Sequence, residues 1–278
     1  MTLCIAAACQ ERGKARIVMG TDWRAETYMA GADIQDKCYW IGTGEAEAAV
    51  LIAGTVQRAV ELKDTYGQHL LNHALLGGAV TSLNVMDVYK APLLDFKNKL
   101  ANEYTAREFG LSYDRFLQAV AKQEIPERTA EAAFASIGKK RFDCALLIAL
   151  FIEKQACILR TEDFTFDACE HFAAIGSGAT IADGVLYQRA HDNDASVGKA
   201  TYHVYEAMRL GSIAPGVSQR FSINVLYPPG ERTAKEDGIY MEEVTDKGYG
   251  FLARQFKQRG PRQFARFPRL PEGSLCEE

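Results

Sequence analysis

The sequence lacks several things, and each absence removes a class of function. There is no Cys-x-x-Cys pair, although the 278 residues include seven cysteines, an odd number. Several of these, Cys4, Cys9 and Cys144 among them, sit in apolar runs, so reduced, buried thiols in a cytoplasmic protein are expected rather than a disulfide framework. No apolar run is long enough to span a bilayer. No basic segment followed by an apolar one opens the chain, so no signal peptide is read. The net charge is only −4, which gives no general case for nucleic acid or an anionic membrane as partner. There is no Walker loop and no dinucleotide fingerprint, and no cofactor is expected. Any dependence on ATP would have to come from a separate partner. Internal repeats and low-complexity tracts are also absent.

What is present is an ordinary soluble composition, 47% hydrophobic, ample for a core. Short apolar strands are expected at residues 3–8, 15–19, 36–41 and 48–52. Helical spacing starts at Thr55 with Val56, Ala59 and Val60 and continues toward Leu71, where Gly77-Gly78 breaks it. A second helical stretch carries Val85, Val88, Leu93, Phe96 and Leu100, with Pro92 marking a start or a kink. Residues 142–152 read as a central strand, with a hairpin partner at 156–160 across Glu153-Lys154-Gln155. A strand at 172–175 runs through Gly176-Ser177-Gly178 into a helix to about Ala190, a second helix covers 197–210, and a strand covers 221–227. Strands, helices, strands, helices and a strand in that order fit two antiparallel sheets packed between helix layers.

Two regions stand apart. Around residues 104–140 a helical insertion is expected, with Ser112 capping one short helix and Pro126 preceding another. The rest of 1–256 is read as one domain. From residue 257 to 278 the tail alternates Lys257, Arg259, Arg262, Arg266 and Arg269 with Phe264 and Phe267. Basic and aromatic residues together can bind single-stranded nucleic acid, but a solvated or subunit-docking tail is the expected reading. His69 and His73 lie four apart on the first helix. No acidic third ligand is evident near them, so solvated helix histidines are expected and no metal.

The chemistry concentrates at the start. Removal of Met1 would leave Thr2 with a hydroxyl and a free α-amine on one residue. Such an amine titrates near ~7.7–8.0, so part of it is neutral and able to take a proton. A threonine hydroxyl needs an adjacent base to become a useful nucleophile, and its own amino terminus can serve. Asp22 ends the second strand and reads either as a turn residue or as an orienting carboxylate. Lys37 opens the third and reads either as an edge residue or as a buried cation beside the nucleophile.

The order terminal Thr2, then Gly20-Thr21-Asp22-Trp23-Arg24, then Lys37 resembles the proteasome β-subunit class of N-terminal-nucleophile (Ntn) hydrolases. Ile52-Ala53-Gly54-Thr55 looks like that family's oxyanion loop, and Gly176-Ser177-Gly178 looks like its Gly-Ser-Gly segment. The Asp-to-Lys spacing is nearest to the bacterial ancestral β-subunit (Anbu) group. The resemblance covers roughly residues 2–75 and 142–227. It implies an α+β, four-layer αββα sandwich and a cytoplasmic threonine peptidase. Thr2 would be the nucleophile, Asp22 and Lys37 would set the electrostatics, Gly54 would donate to the oxyanion and Ser177 would complete proton relay. It further implies Ile52 and Val56 in an apolar first pocket, with Gln35 and Glu26 adding polarity. Peptides or unfolded proteins are the implied substrates, and a homo-oligomeric ring or helical stack the implied assembly, with a separate ATPase as a possible partner.

One feature departs from the family pattern. No Asp falls late in the helix before the last strands, where the sequence reads Tyr205-Glu206-Ala207-Met208-Arg209-Leu210-Gly211-Ser212. Glu206 or Ser212 would have to substitute, or the role is vacant. A non-catalytic structural subunit and a small-amide amidase of the same fold therefore stand as alternatives.

Overall fold

The computed structural model describes residues 2–26, 31–33, 37–42, 47–139, 142–163, 165–231 and 238–261, with only the backbone at 24–26 and 31–33. The first half of the chain runs β1 (Leu3–Glu11), β2 (Lys14–Asp22), β3 (Arg24–Glu26), β4 (Gly31–Asp33), β5 (Cys38–Ile41), β6 (Ala48–Gly54), α1 (Val56–Leu75) and α2 (Val85–Phe109). It continues through α3 (Tyr113–Ala121), α4 (Glu127–Gly138), β7 (Cys144–Ile152), β8 (Gln155–Glu162), β9 (Thr165–Cys169) and β10 (Phe172–Gly176). Last come α5 (Ala179–Gln188), α6 (Val197–Gly211), β11 (Phe221–Tyr227), β12 (Tyr240–Glu243) and α7 (Asp246–Arg259). The chain divides into two compact units, residues 1–244 and 245–278, a division earlier than the 256/257 boundary expected from composition. Lys257 and Arg259 lie in α7; the remaining basic and aromatic residues of the tail fall outside the described residues.

The first unit is α+β, with two five-stranded antiparallel sheets. One has the order β10-β1-β2-β11-β12 and the other β5-β6-β7-β8-β9, while β3 and β4 form a separate two-stranded ribbon. The sheets face each other across one core cluster. Cys4, Ala6, Ile17 and Met19 of the first meet Leu51, Ala53, Leu147 and Ala149 of the second. The other face of the second sheet is covered by α1 and α2, whose Leu62, Tyr66, Tyr89 and Phe96 pack with Val50, Leu146 and Ile148. The outer face of the first sheet carries α5 and α6. This layering explains why β7 and residues 3–9 of β1 are continuously apolar rather than alternating: both of their faces are covered.

Local signals account for most of the boundaries. Ser112 caps α3 by accepting from the Arg115 amide, as expected, and α3 and α4 lie within the 104–140 stretch, which is helical. Phe109, Phe116 and Phe134 stack there in tilted and edge-on pairs, giving these helices a shared apolar contact. Pro92 does not start a helix: α2 begins at Val85 and passes through it, with one amide donor lost and the ring buried. One further expectation is corrected. The β7–β8 turn uses two residues, not three: Ile152 pairs with Gln155, and Glu153 and Lys154 both take left-handed φ, 51° and 65°.

Candidate active site

Strand pairing brings the sequence-distant residues together. In β1 and β2 the register sets Cys4 opposite Thr21, so the chain start lies beside the end of β2, where Asp22 projects. On the other side of β1, Leu3 pairs with Gly176, the last residue of β10. β11 joins β2 with Phe221 opposite Asp22. The second sheet contributes Lys37, immediately before β5, and its carbonyl accepts from the Ile52 amide at 3.2 Å. Cys4 Sγ, 3.5 Å from the Ile52 carbonyl oxygen, bridges the two sheets directly behind Thr2.

Thr2, Asp22 and Lys37 form one connected polar group inside this apolar setting. Lys37 Nζ donates to Thr2 Oγ1 at 2.5 Å and to Asp22 Oδ1 at 2.7 Å. Asp22 is 0% exposed and Lys37 5%. A charge so deeply buried requires both a partner and hydrogen bonds, and Asp22 has them. Its Oδ1 also accepts from the Leu3 amide at 3.0 Å, and its Oδ2 accepts from the Ser218 amide at 3.1 Å. The ammonium therefore stands fixed against the threonine oxygen. A cation there favours negative charge developing on that oxygen.

Glycines form the opposite wall. Gly54 ends β6 at φ +89°, and a Cβ on it would lie 2.3 Å from the Asp143 carbonyl oxygen. Gly176 has φ +94°, and a Cβ there would lie 2.2 Å from the Thr2 carbonyl oxygen and 3.4 Å from Ala53 Cβ. At both positions only glycine combines this backbone conformation with the available space. Ser177 follows, and its hydroxyl donates to the Thr2 carbonyl at 3.4 Å, which is long for such a bond.

Of the expected catalytic residues, Lys37 contacts both Thr2 and Asp22, and Ser177 touches Thr2 through the carbonyl. Gly54 sits one residue from Ala53, which faces Gly176. Ile52 is buried in the core cluster that also holds Val50, Ala59 and Leu62, and Val56 opens α1 with its side chain exposed. Gln35 lies outside the described residues, and of Glu26 only the backbone, in β3, is described.

Both residues suggested in place of the family's late acid are engaged with other partners. Glu206 is buried, but Arg189 holds both of its oxygens at 2.6 Å, and the Ser212 hydroxyl donates to the Arg209 carbonyl. Gly176, which opens the Gly-Ser-Gly segment, is set by its close approach to Thr2. One contributor escaped the sequence reading. Ser218 acts through its amide on Asp22, a role that leaves no trace in residue type.

His69 and His73 both lie on α1, and no group of three or more His, Cys, Asp or Glu side chains that could hold a metal occurs among the described residues. Among these residues no helix is long and apolar enough to cross a membrane. Burial pushes the thiols of Cys9 and Cys144 up to about 12 and that of Cys157 to about 11, so they stay protonated and unreactive at neutral pH. No family model matches the chain, and no curated protein matches it.

Proposed function

We propose that the protein is a threonine-type amide-bond hydrolase of the Ntn class, acting on peptides. The observation that carries this reading is the contact of Lys37 Nζ with Thr2 Oγ1, with Asp22 behind it. A buried lysine bound to both a carboxylate and the hydroxyl of the second residue is a costly arrangement for structure alone, and it suits activation of a nucleophile.

Removal of Met1 frees the Thr2 amine in this reading. Thr2 Oγ1 attacks the substrate carbonyl, and its proton passes to that amine. The Gly54 N–H faces the oxyanion, a type of contact worth ~10²–10³ in rate. The amine then returns the proton to the leaving nitrogen as the C–N bond breaks. Water cleaves the resulting ester and restores the hydroxyl. Ser177, bound to the Thr2 carbonyl, steadies the residue and serves the relay. The αββα class, a homo-oligomeric ring or stack and a cytoplasmic setting belong to the same proposal.

The test is an intact mass before and after incubation with a peptide epoxyketone, which needs a hydroxyl and a free α-amine on one residue to close its adduct. Loss of Met1 with one stable adduct, absent in Thr2→Ala, is the expected result. A second reading, a non-catalytic subunit, is favoured by the engagement of Glu206 with Arg189, which leaves Asp22 the one carboxylate in hydrogen-bonded contact with the Thr2–Lys37 pair among the described residues. Met1 retained with no adduct would establish it in place of the first.

A further inference from the structure

The division of the chain at residue 245 also divides its charge. The first unit carries 25 Lys or Arg against 32 Asp or Glu, and the second carries seven against four. All seven lie between Lys247 and Arg269, with no acid among them. A chain of net charge −4 thus ends in a unit of the opposite sign. Charge segregation of this kind suits contact with a polyanion. By composition alone the basic stretch starts at Lys257; α7 adds Lys247 and Arg254 to it and sets them on a folded helix.

The helix sorts these residues onto two sides. Tyr249, Leu252 and Phe256 recur at helical spacing, with Leu252 buried and the other two partly so. Lys247, Phe251 and Arg254 recur at the same spacing on the opposite side, and all three are exposed. Phe251 is 53% exposed, so more than half of a large apolar side chain stays wet between two cations. A bilayer would take up the apolar stripe, and that stripe is turned from solvent. An acidic protein would engage the cations and leave the ring unused. Single-stranded nucleic acid engages both: its phosphates pair with Lys and Arg, and each base offers a π-face to an exposed ring. The same mixture continues in sequence through Arg262, Phe264, Arg266, Phe267 and Arg269.

We propose that α7 and the residues after it form a binding surface for single-stranded nucleic acid, with Lys247 and Arg254 on the phosphates and Phe251 against a base. The surface belongs to the second unit and does not depend on Thr2 acting as a nucleophile. It assigns the chain a polyanionic partner that its overall net charge conceals.

The test is fluorescence anisotropy of a labelled oligothymidylate of about 20 nucleotides, longer than one single-strand site, titrated with the full-length protein. Binding is expected to weaken about fiftyfold between about 50 and 200 mM salt, as neutralisation of roughly four phosphates predicts. Lys247→Gln with Arg254→Gln flattens that dependence and weakens binding about tenfold at the lower salt. Phe251→Ala weakens binding by about fivefold or more and leaves the salt dependence as it was, because stacking involves no counterion. Lys122 and Arg128 are exposed in the first unit, and Lys122→Gln with Arg128→Gln, an equal change of net charge, leaves the affinity within about twofold. Unchanged melting temperatures check that the variants fold. No binding at about 50 mM salt overturns the proposal. Equal losses in the two double variants also overturn it, because overall charge would then account for the effect. A silent Phe251→Ala, or equal affinity for the same oligonucleotide paired with oligoadenylate, overturns the base contact and the single-strand assignment with it. Sedimentation with phosphatidylserine vesicles in the absence of oligonucleotide binding assigns the face to a membrane and overturns the proposal as well.

Discussion

Lys37 Nζ lies between Thr2 Oγ1 and Asp22 Oδ1, 2.5 Å from one and 2.7 Å from the other. This single ammonium joins the chain start, the end of β2 and the start of β5, so its removal acts on stability and on chemistry together. Lys37→Met leaves the Asp22 carboxylate buried with two amide donors and no cation, which costs about 3–5 kcal/mol. Asp22→Asn leaves the ammonium similarly stranded. The double variant, lacking both charges, regains much of the loss, so the two single effects are strongly non-additive. Urea unfolding of the four proteins measures the coupling. Simple additivity would mean that the pair does not interact as described. All three variants are expected to lose epoxyketone labelling even where stability returns.

The two wall glycines permit a contrast within one molecule. Gly13 has φ +77° and open space within 4 Å of where an alanine methyl would stand, whereas the methyl of Gly176→Ala would lie 2.2 Å from the Thr2 carbonyl oxygen. Gly13→Ala meets only the left-handed backbone penalty, on the order of 1 kcal/mol. Gly176→Ala adds a backbone collision, and its cost exceeds that of Gly13→Ala by at least about 2 kcal/mol. Gly54→Ala, 2.3 Å from the Asp143 carbonyl oxygen, behaves like Gly176→Ala. Denaturant midpoints for the three variants test the ranking.

These contrasts also bear on what was readable in the sequence. The middles of β1 and β2 and the whole of β7 were legible because burial on both faces leaves an unbroken apolar run there, although β1 ends in Gln10-Glu11 and β2 begins at Lys14 and ends at Asp22. The α3 start was legible because a side chain performs the capping. Asp22 and Lys37 were legible because their roles need a charge. By contrast β9 and β12 are edge strands with little buried apolar surface, so no hydrophobic pattern announces them. α7 has glycines at 248 and 250, which weaken any helical signal. Ser218 binds Asp22 through its backbone N–H, which every residue except proline has. Glu206 looked available because sequence spacing does not reveal that Arg189, on the neighbouring helix end, already holds it.

Between α5 and α6 a second buried polar group sets a pH dependence. His191 Nε2 lies 2.9 Å from the Ala8 carbonyl oxygen and must carry the proton there, so its Nδ1 accepts from His203 Nδ1 at 3.1 Å. His191, accepting at Nδ1, is therefore neutral in this arrangement, and His203 is kept neutral near pH 7 by burial. Burial lowers each titration below 6.5; for His203 the neighbouring His191, Lys199 and Arg189 add to this and bring it to about 4. Because the folded values are depressed, the unfolded chain takes up protons first as the pH falls. The stabilisation from the neutral pair is complete above about 6.5 and is lost as the pH drops toward 4. The melting temperature of wild type should fall between pH 6.5 and 5, above the range where most carboxylates titrate. His191→Gln with His203→Gln should flatten that limb, at lower overall stability. An equal slope in both proteins would show that the pair does not control it.

The Arg189–Glu206 pair gives the last prediction, and it distinguishes a structural carboxylate from a catalytic one. Glu206 is 1% exposed, and Arg189 grips both of its oxygens at 2.6 Å from the C-terminal end of α5. The hydrogen bond to Glu206 is the main cause raising the Arg189 titration, as expected for a bidentate pair. Arg189→Ala strands a buried carboxylate and costs about 3–5 kcal/mol. Glu206→Gln keeps an acceptor for Arg189 and costs less. If Glu206 only braces α5 against α6, Glu206→Gln lowers the melting temperature yet leaves the rate of Thr2 labelling by the epoxyketone unchanged at a temperature where the variant is folded. If Glu206 instead supplies the missing acid, labelling slows by far more than the loss of folded protein explains. The first outcome is expected, because both carboxylate oxygens already have a partner in Arg189.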